Sequence, residues 1–159
     1  MDAVTAFLQG NLDEEVYADQ AEGYNYGSGR VCKLNRAMYG LKQAGRQWNK
    51  KLDQALISFG LTRSSLDPCI YIGSNIEIIV AIYVDDILIV WKDRAALGKI
   101  KDQLCGTFKM KELGQATNCV GIEIKYTEAG IAIGQTRNVW NVTLQTSTDS
   151  KRPTPQAGN

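Results

Sequence analysis

Two β-branched runs, Ile78 to Ile82 and Ile87 to Val90, are separated only by Tyr83-Val84-Asp85-Asp86. Residues of this kind favour strands, so an adjacent carboxylate pair between them reads as the tip of a β-hairpin. At such a tip two negative charges either stay hydrated or bind a cation. Asp-Asp lacks the glycine that a tight primed hairpin turn prefers, which favours a metal platform over turn chemistry. A plain polar turn is the alternative.

Periodicity supplies the neighbours of that hairpin. From Tyr39 or Leu41 to Phe59, the apolar positions Leu41, Ala44, Trp48, Leu52, Ala55, Leu56 and Phe59 recur at helical spacing, and Gly60 follows as a C-terminal stop. Trp48 lies on the apolar stripe, so it reads as a core anchor and not as a platform for stacking bases. Beyond Asp67-Pro68, Cys69 to Ile72 predicts a short strand, and Gly73-Ser74-Asn75 turns the chain into a long strand from Ile76 to Val84. The strand Ile87 to Trp91 follows the carboxylates. Asp93 is the expected N-cap of a second helix with stripe Leu97, Ile100, Leu104 and Phe108. A second hairpin is predicted from Val120, Ile122, Ile124 and Tyr126 through the turn Thr127 to Gly130 to Ile131–Ile133. After Gln135 the pattern weakens, and Ser147 to Asn159 reads as a disordered tail or linker stub. The division expected is 1–135 as one structured region and 136–159 as a weakly structured segment. The order of elements predicts an α+β fold, with two helices on one face of an antiparallel sheet, related to the ferredoxin-like split unit.

A chain of 159 residues with 44% hydrophobic content can bury one core, and no run reaches the ~18 apolar residues of a membrane span. The start of the chain is acidic at Asp2, unlike a secretory signal, so an intracellular location is expected and Asn141-Val142-Thr143 is a chance glycosylation match. The absence of histidine excludes Ser-His-Asp and Cys-His catalysis and mixed Cys/His zinc sites. Cys32, Cys69, Cys105 and Cys119 contain no Cys-x-x-Cys pair and read as reduced, mostly buried thiols. Charge is segregated: residues 1–25 hold six acids and no base, whereas residues 26–63 hold eight bases against Asp53 alone. Such a basic segment could follow a phosphate backbone, or it could be a solvated face.

With these features in place, a series of motifs identifies a resemblance. Asp2 to Gly10 (DAVTAFLQG), Leu12 to Tyr17 (LDEEVY), Glu22-Gly23-Tyr24, Val31 to Leu34 (VCKL), Met38 to Trp48 (MYGLKQAGRQW), Tyr83 to Asp86 (YVDD) and Lys111 to Gly114 (KELG) stand in the order and spacing of copia-type retrotransposon reverse transcriptases. The chain resembles that family over roughly residues 1 to 135. The resemblance implies a polymerase palm that adds deoxynucleotides to a primer 3′ end. In such palms three carboxylates hold two Mg2+ ions about 3.5 to 4 Å apart, with Mn2+ the substitute. The matching positions are Asp2, Asp85 and Asp86, with Asp85 and Asp2 expected as the bridging pair and Asp86 as auxiliary. Phe7 matches the aromatic gate against a 2′-hydroxyl, with an ordinary core Phe as its bland alternative, and Gln43 the nucleotide-contacting Gln. Lys42 and Arg46 are candidate phosphate contacts, Tyr83 is expected beside template and primer, and Gly121 in the strand that holds the primer terminus. Implied partners are an RNA or DNA template with primer, deoxynucleoside triphosphates and the remaining polyprotein segments, inside the cell or in virus-like particles, with no membrane.

There are departures. Gly45 stands where the family usually has Pro, which should loosen the helix start, and Thr117-Asn118-Cys119 is less aromatic than usual. Met1 directly precedes the first carboxylate, so the fingers, protease, integrase and RNase H are expected to be missing, the palm incomplete at its N-terminus, and Asp2 frayed. The alternative to an active polymerase fragment is a non-catalytic remnant or nucleic-acid-binding module that keeps the palm fold.

Overall fold

The computed structural model describes residues 1–24, 27, 29–74, 77–128 and 130–135. The expected segment 136–159, the sequon at Asn141 and the turn at Asn75-Ile76 therefore lie at least partly outside the described residues. The architecture is α+β, and the chain divides into two units, Met1–Gly114 and Gln115–Asn159.

The first unit is built on a six-stranded sheet. Its strands are β1 (Asp2–Ala3), β4 (Thr62–Arg63), β5 (Ile70–Ile72), β6 (Ile78–Tyr83), β7 (Asp86–Trp91) and β8 (Met110–Lys111), in the order β4-β5-β6-β7-β1-β8 with every neighbouring pair antiparallel. A separate two-stranded hairpin pairs β2 (Asn11–Ala18) with β3 (Cys32–Arg36). Helix α1 (Ala44–Ser58) leads into β4, and α2 (Arg94–Thr107) joins β7 to β8.

Alternation along the strands decides which face is covered. Ile78, Val80 and Ile82 of β6 are buried, as is Ile87 of β7, the cross-strand partner of Ile82. These residues form one core with Trp48, Leu52 and Leu56 of α1 and Ile100, Leu104 and Phe108 beside α2, so both helices cover the same face of the sheet. These core residues belong to the stripes that periodicity predicts, whereas Leu41 of the predicted stripe precedes α1 and Leu97 lies outside the core cluster. Asp93 caps α2, accepting hydrogen bonds from the amides of Ala95 at 3.1 Å and Ala96 at 3.2 Å. Helix α1 ends with Phe59 and Gly60, the latter at φ 89 with its amide on the Ile57 carbonyl, a conformation that favours glycine.

Several boundaries differ from expectation. Helix α1 begins at Ala44 and not at Tyr39 or Leu41, because Gly40 is left-handed at φ 95 and the residues after it form a turn closed by Ala44 N–H on the Leu41 carbonyl. Asp2 does not fray: the Met1 amino group donates to the Ile87 carbonyl at 2.8 Å and the Ile87 amide to the Met1 carbonyl at 2.9 Å, which seats β1 between β7 and β8. The cysteines are not mostly buried, since Cys32, Cys69 and Cys105 are exposed and Cys119 is intermediate. Cys32 lies on the outlying hairpin, Cys69 beside the Asp67 turn, and Cys105 off the buried stripe of α2.

Between β1 and β2, a 3-10 helix (Ala6–Gln9) and Gly10 cross α1 at close range. A Cβ on Gly10 would lie 3.0 Å from the Trp48 nitrogen and 3.2 Å from the Gln47 carbonyl carbon, both of them helix backbone. Neither atom can move without moving the helix. Gly10→Ala is therefore expected to destabilise the unit by about 1 to 3 kcal/mol, read as a lowered urea midpoint at unchanged m-value. An unchanged midpoint would mean that the crossing is looser than 3.0 Å.

The second unit is a three-stranded antiparallel sheet, β11-β10-β9, from β9 (Asn118–Cys119), β10 (Ile122–Thr127) and β11 (Gly130–Gly134). The predicted hairpin is present. Val120 and Gly121, at φ 51 and 77, form a two-residue turn between β9 and β10, where a continuous strand is expected. Two left-handed residues in succession reverse the chain as a type I′ turn does.

Candidate active site

The hairpin tip is displaced by one residue from its expected place. Tyr83 and Asp86 are cross-strand partners, so the turn consists of Val84 and Asp85, and Asp86 is already the first residue of β7. Val84 has φ 56. A positive φ at the first central residue alone is the pattern of a type II′ turn, usually served by glycine. In a β-branched residue it carries strain of about 1 to 3 kcal/mol.

The register brings the first carboxylate to this turn across more than eighty residues of sequence. Asp2 pairs directly with Asp86, while the Ala3 amide donates to the Asp85 carbonyl at 2.8 Å. Ala3 and Ile87 are buried beneath the helices, so Asp2 and Asp86 occupy the opposite, open face. On its other side Asp2 pairs with Lys111 of β8, so Tyr83, Asp86, Asp2 and Lys111 make one row across four strands.

Asp2, Asp85 and Asp86 are each half-buried, and none belongs to an ion pair among the described residues. Like charges directly opposite on a sheet destabilise it, so the sequence maintains here a concentration of negative charge that folding does not need. The oxygen donors suit a hard divalent cation such as Mg2+. Among the described residues, no group of three or more His, Cys, Asp or Glu side chains is gathered as a ready-made metal cluster. What the fold supplies is the backbone placement that brings these carboxylates to neighbouring positions.

Trp48 reaches the same turn from the core side, its indole N–H donating to the Val84 carbonyl at 2.6 Å. Sequence periodicity finds the burial of Trp48 but has no means of finding this bond, which links residues 36 apart.

Phe7 is half-buried beside the core, and its ring lies 4.6 Å from that of Tyr39, which is 56% exposed. Gly45 lies against the same ring, with a built Cβ 3.9 Å from the Phe7 ring edge. Tyr39 is thus a candidate that motif reading passed over; its only sequence signal is its place in Met38-Tyr39-Gly40. Lys42 and Arg46 are exposed at the start of α1. Gln43 is engaged within the chain, its side-chain amide donating to Glu14 at 3.0 Å.

That contact belongs to a longer one. Gln47 donates to Asp13 at 3.1 Å and Lys50 pairs with Asp13 at 3.0 Å, so the acidic strand β2 lies along the polar stripe of α1. The Gln47 hydrogen bond, followed by the Lys50 bond and charge, holds the Asp13 carboxyl below the usual carboxylate range. Lys33 pairs with Glu15 and Arg63 with Asp53. With Lys51 donating to the Gln9 carbonyl, part of the basic excess of residues 26–63 is therefore used inside the molecule, and Lys42 and Arg46 are among the bases of that stretch that stay exposed. Gly121 and its turn belong to the second unit.

Among the described residues no helix is long and apolar enough to cross a membrane. Residues 1–152 match the family described as reverse transcriptase (RNA-dependent DNA polymerase). The chain is 39% identical, along its whole length, to a retrovirus-related Pol polyprotein from transposon TNT 1-94 of Nicotiana tabacum, and covers 13% of that relative. Over 99% of its length it is 34% identical to the Pol polyprotein from transposon RE1 of Arabidopsis thaliana, covering 11% of it. A Ty1-DR5 Gag-Pol polyprotein of Saccharomyces cerevisiae is 28% identical over 79% of the chain, which covers 8% of that protein. No solved structure gives a significant match. The chain therefore spans about an eighth or less of these relatives, and it belongs, with the YVDD turn and its paired Asp2 inside the matched stretch, to the copia-type reverse transcriptase family.

Proposed function

We propose that this chain is the palm segment of an RNA-directed DNA polymerase that extends a primer on an RNA or DNA template, with Asp2, Asp85 and Asp86 as the carboxylates that hold two Mg2+ ions. The observation that carries the reading is the direct pairing of Asp2 with Asp86 beside the Asp85 turn, on an open sheet face, with none of the three carboxylates in an ion pair among the described residues. The strand order β6-β7-β1-β8, with α2 crossing from β7 to β8, supports a palm of the split-unit type. When bound, the metal pair polarises the attacking 3′-oxygen and stabilises the leaving pyrophosphate.

The chain's own residues hold and orient. Phe7, backed by Tyr39, is the wall that senses the sugar of the incoming nucleotide. Tyr83 stands on the carboxylate face at 58% exposure, where template and primer pass. Lys42 and Arg46 follow phosphates, Gln43 reaches the nucleotide on release from Glu14, and Gly121 serves the primer terminus. The remaining polyprotein, with fingers, RNase H and integrase, works beside it inside the cell and in virus-like particles.

The test is Mg2+-dependent, template-directed extension of a labelled primer, measured with the chain alone and with it replacing the matching stretch of the tobacco polyprotein. Addition that needs both template and divalent cation supports the reading. A folded chimera that binds primed template and adds nothing supports a nucleic-acid-binding module instead. In either case binding should weaken as salt rises, with Lys42→Ala and Arg46→Ala each reducing the slope by about one phosphate. Salt-independent binding would remove both residues from the interface.

A further inference from the structure

The core contains a bond that packing alone does not require. Trp48 is 2% exposed, its ring fixed edge-on against Phe108 at 5.2 Å and its backbone nitrogen 3.0 Å from where a Cβ on Gly10 would stand. A phenylalanine could fill most of that space. Only an indole can also donate to the Val84 carbonyl, at the one residue of the carboxylate turn with a left-handed backbone. The next carbonyl, that of Asp85, is held from the other side by the Ala3 amide. Both peptide groups that set the direction of the turn are therefore tied, one to α1 and one to β1.

We propose that Trp48 is a positioning residue: its indole N–H holds the strained Val84-Asp85 turn so that Asp85 and Asp86 stay beside Asp2. The proposal rests on the cation-binding reading for its purpose, but the tie itself is independent of any cation. Without the indole N–H, a valine at φ 56 has less to keep it there and the turn opens toward conformations that a β-branched residue prefers. Opening of that kind moves the Asp85 carbonyl away from Ala3 before it disturbs the strands further along β5 and β6.

The full chain tests this with Trp48→Phe, Val84→Gly and the double variant, by amide hydrogen exchange without metal and by Mn2+ binding through water-proton relaxation. Trp48→Phe should speed exchange of the Ala3 amide about tenfold, leave the β5–β6 amides unchanged, and weaken Mn2+ binding about tenfold. Adding Val84→Gly should restore both, because glycine takes φ 56 without strain. Unchanged Ala3 exchange in a folded Trp48→Phe protein, or a loss that Val84→Gly does not restore, overturns the proposal and leaves Trp48 as packing. If the wild-type chain binds no Mn2+, the cation reading fails while Ala3 exchange and its restoration still decide the tie. Should Trp48→Phe not fold, the wild type decides: the Trp48 indole N–H and the Ala3 amide should exchange through one opening with the same urea dependence. Separate openings overturn the tie.

Discussion

Asn in place of Asp2, Asp85 or Asp86 is expected to lower Mg2+-dependent nucleotide addition by the chimera at least about a thousandfold, a barrier increase of about 4 kcal/mol. A metal pair contributes several kcal/mol of transition-state charge stabilisation, and an amide oxygen in place of a carboxylate removes a full charge from its ligand set. The same change should act oppositely on folding. Because Asp2 and Asp86 are direct cross-strand partners, Asp86→Asn relieves like-charge repulsion and should raise metal-free stability by about 0.2 to 1 kcal/mol, whereas Asp2→Asn also gives up the opposite charge of its other partner, Lys111, and should gain less. Asp85, which lies in the turn, should show the activity loss with a smaller gain. The size of the residual activity in each variant ranks the ligands and decides whether Asp85 or Asp86 is the second bridging group beside Asp2. Activity retained in all three variants would remove the carboxylates from the chemistry.

The largest loss of stability is expected from Trp48→Ala, at about 3 to 5 kcal/mol. The substitution empties the space against Phe108, removes a fully buried aromatic from the side of α1 that meets the sheet, and leaves the Val84 carbonyl without its donor. Against the 5 to 15 kcal/mol that separates a typical folded domain from its unfolded chain, such a loss takes roughly a fifth or more. Urea denaturation followed by far-UV circular dichroism should show a lowered midpoint and an unfolding free energy reduced by that amount. Ile57→Ala on the same helix, at a side chain 52% exposed, should change stability by no more than about 0.5 kcal/mol. Equal effects of the two would mean that α1 does not dock through Trp48.

Elements whose signals are local were legible in the chain. The stripe Trp48, Leu52 and Leu56 specifies α1 because a 3.6-residue period gives one side of a helix a reason to be buried. Asp93 marks the start of α2 because its carboxylate can meet two amides only from the N-cap. Strands β6 and β7 follow from β-branched runs on either side of a short separator. The family resemblance came from motifs spread over the chain, and it named Asp2, Asp85 and Asp86 together without indicating how they meet.

How they meet depends on partners that no local pattern encodes. Strand β1 is two residues long, too short for periodicity, and joins the sheet because β7 and β8 offer ladders on both of its sides. The β2–β3 hairpin is masked by Asp13, Glu14 and Glu15, whose charges suggest solvent until α1 supplies Gln43, Gln47 and Lys50 to meet them. The displacement of the turn to Val84-Asp85 is set by the register of β6 on β7, a one-residue choice that decides which carboxylate faces Asp2. Chain-local propensities reach only a few residues, so they determine helices, strands and caps. The pairing of Asp2 with Asp86, the tilted ring contact of Phe7 with Tyr39 and the bond from Trp48 to Val84 join residues 84, 32 and 36 apart, and only burial of the shared core brings such groups into contact.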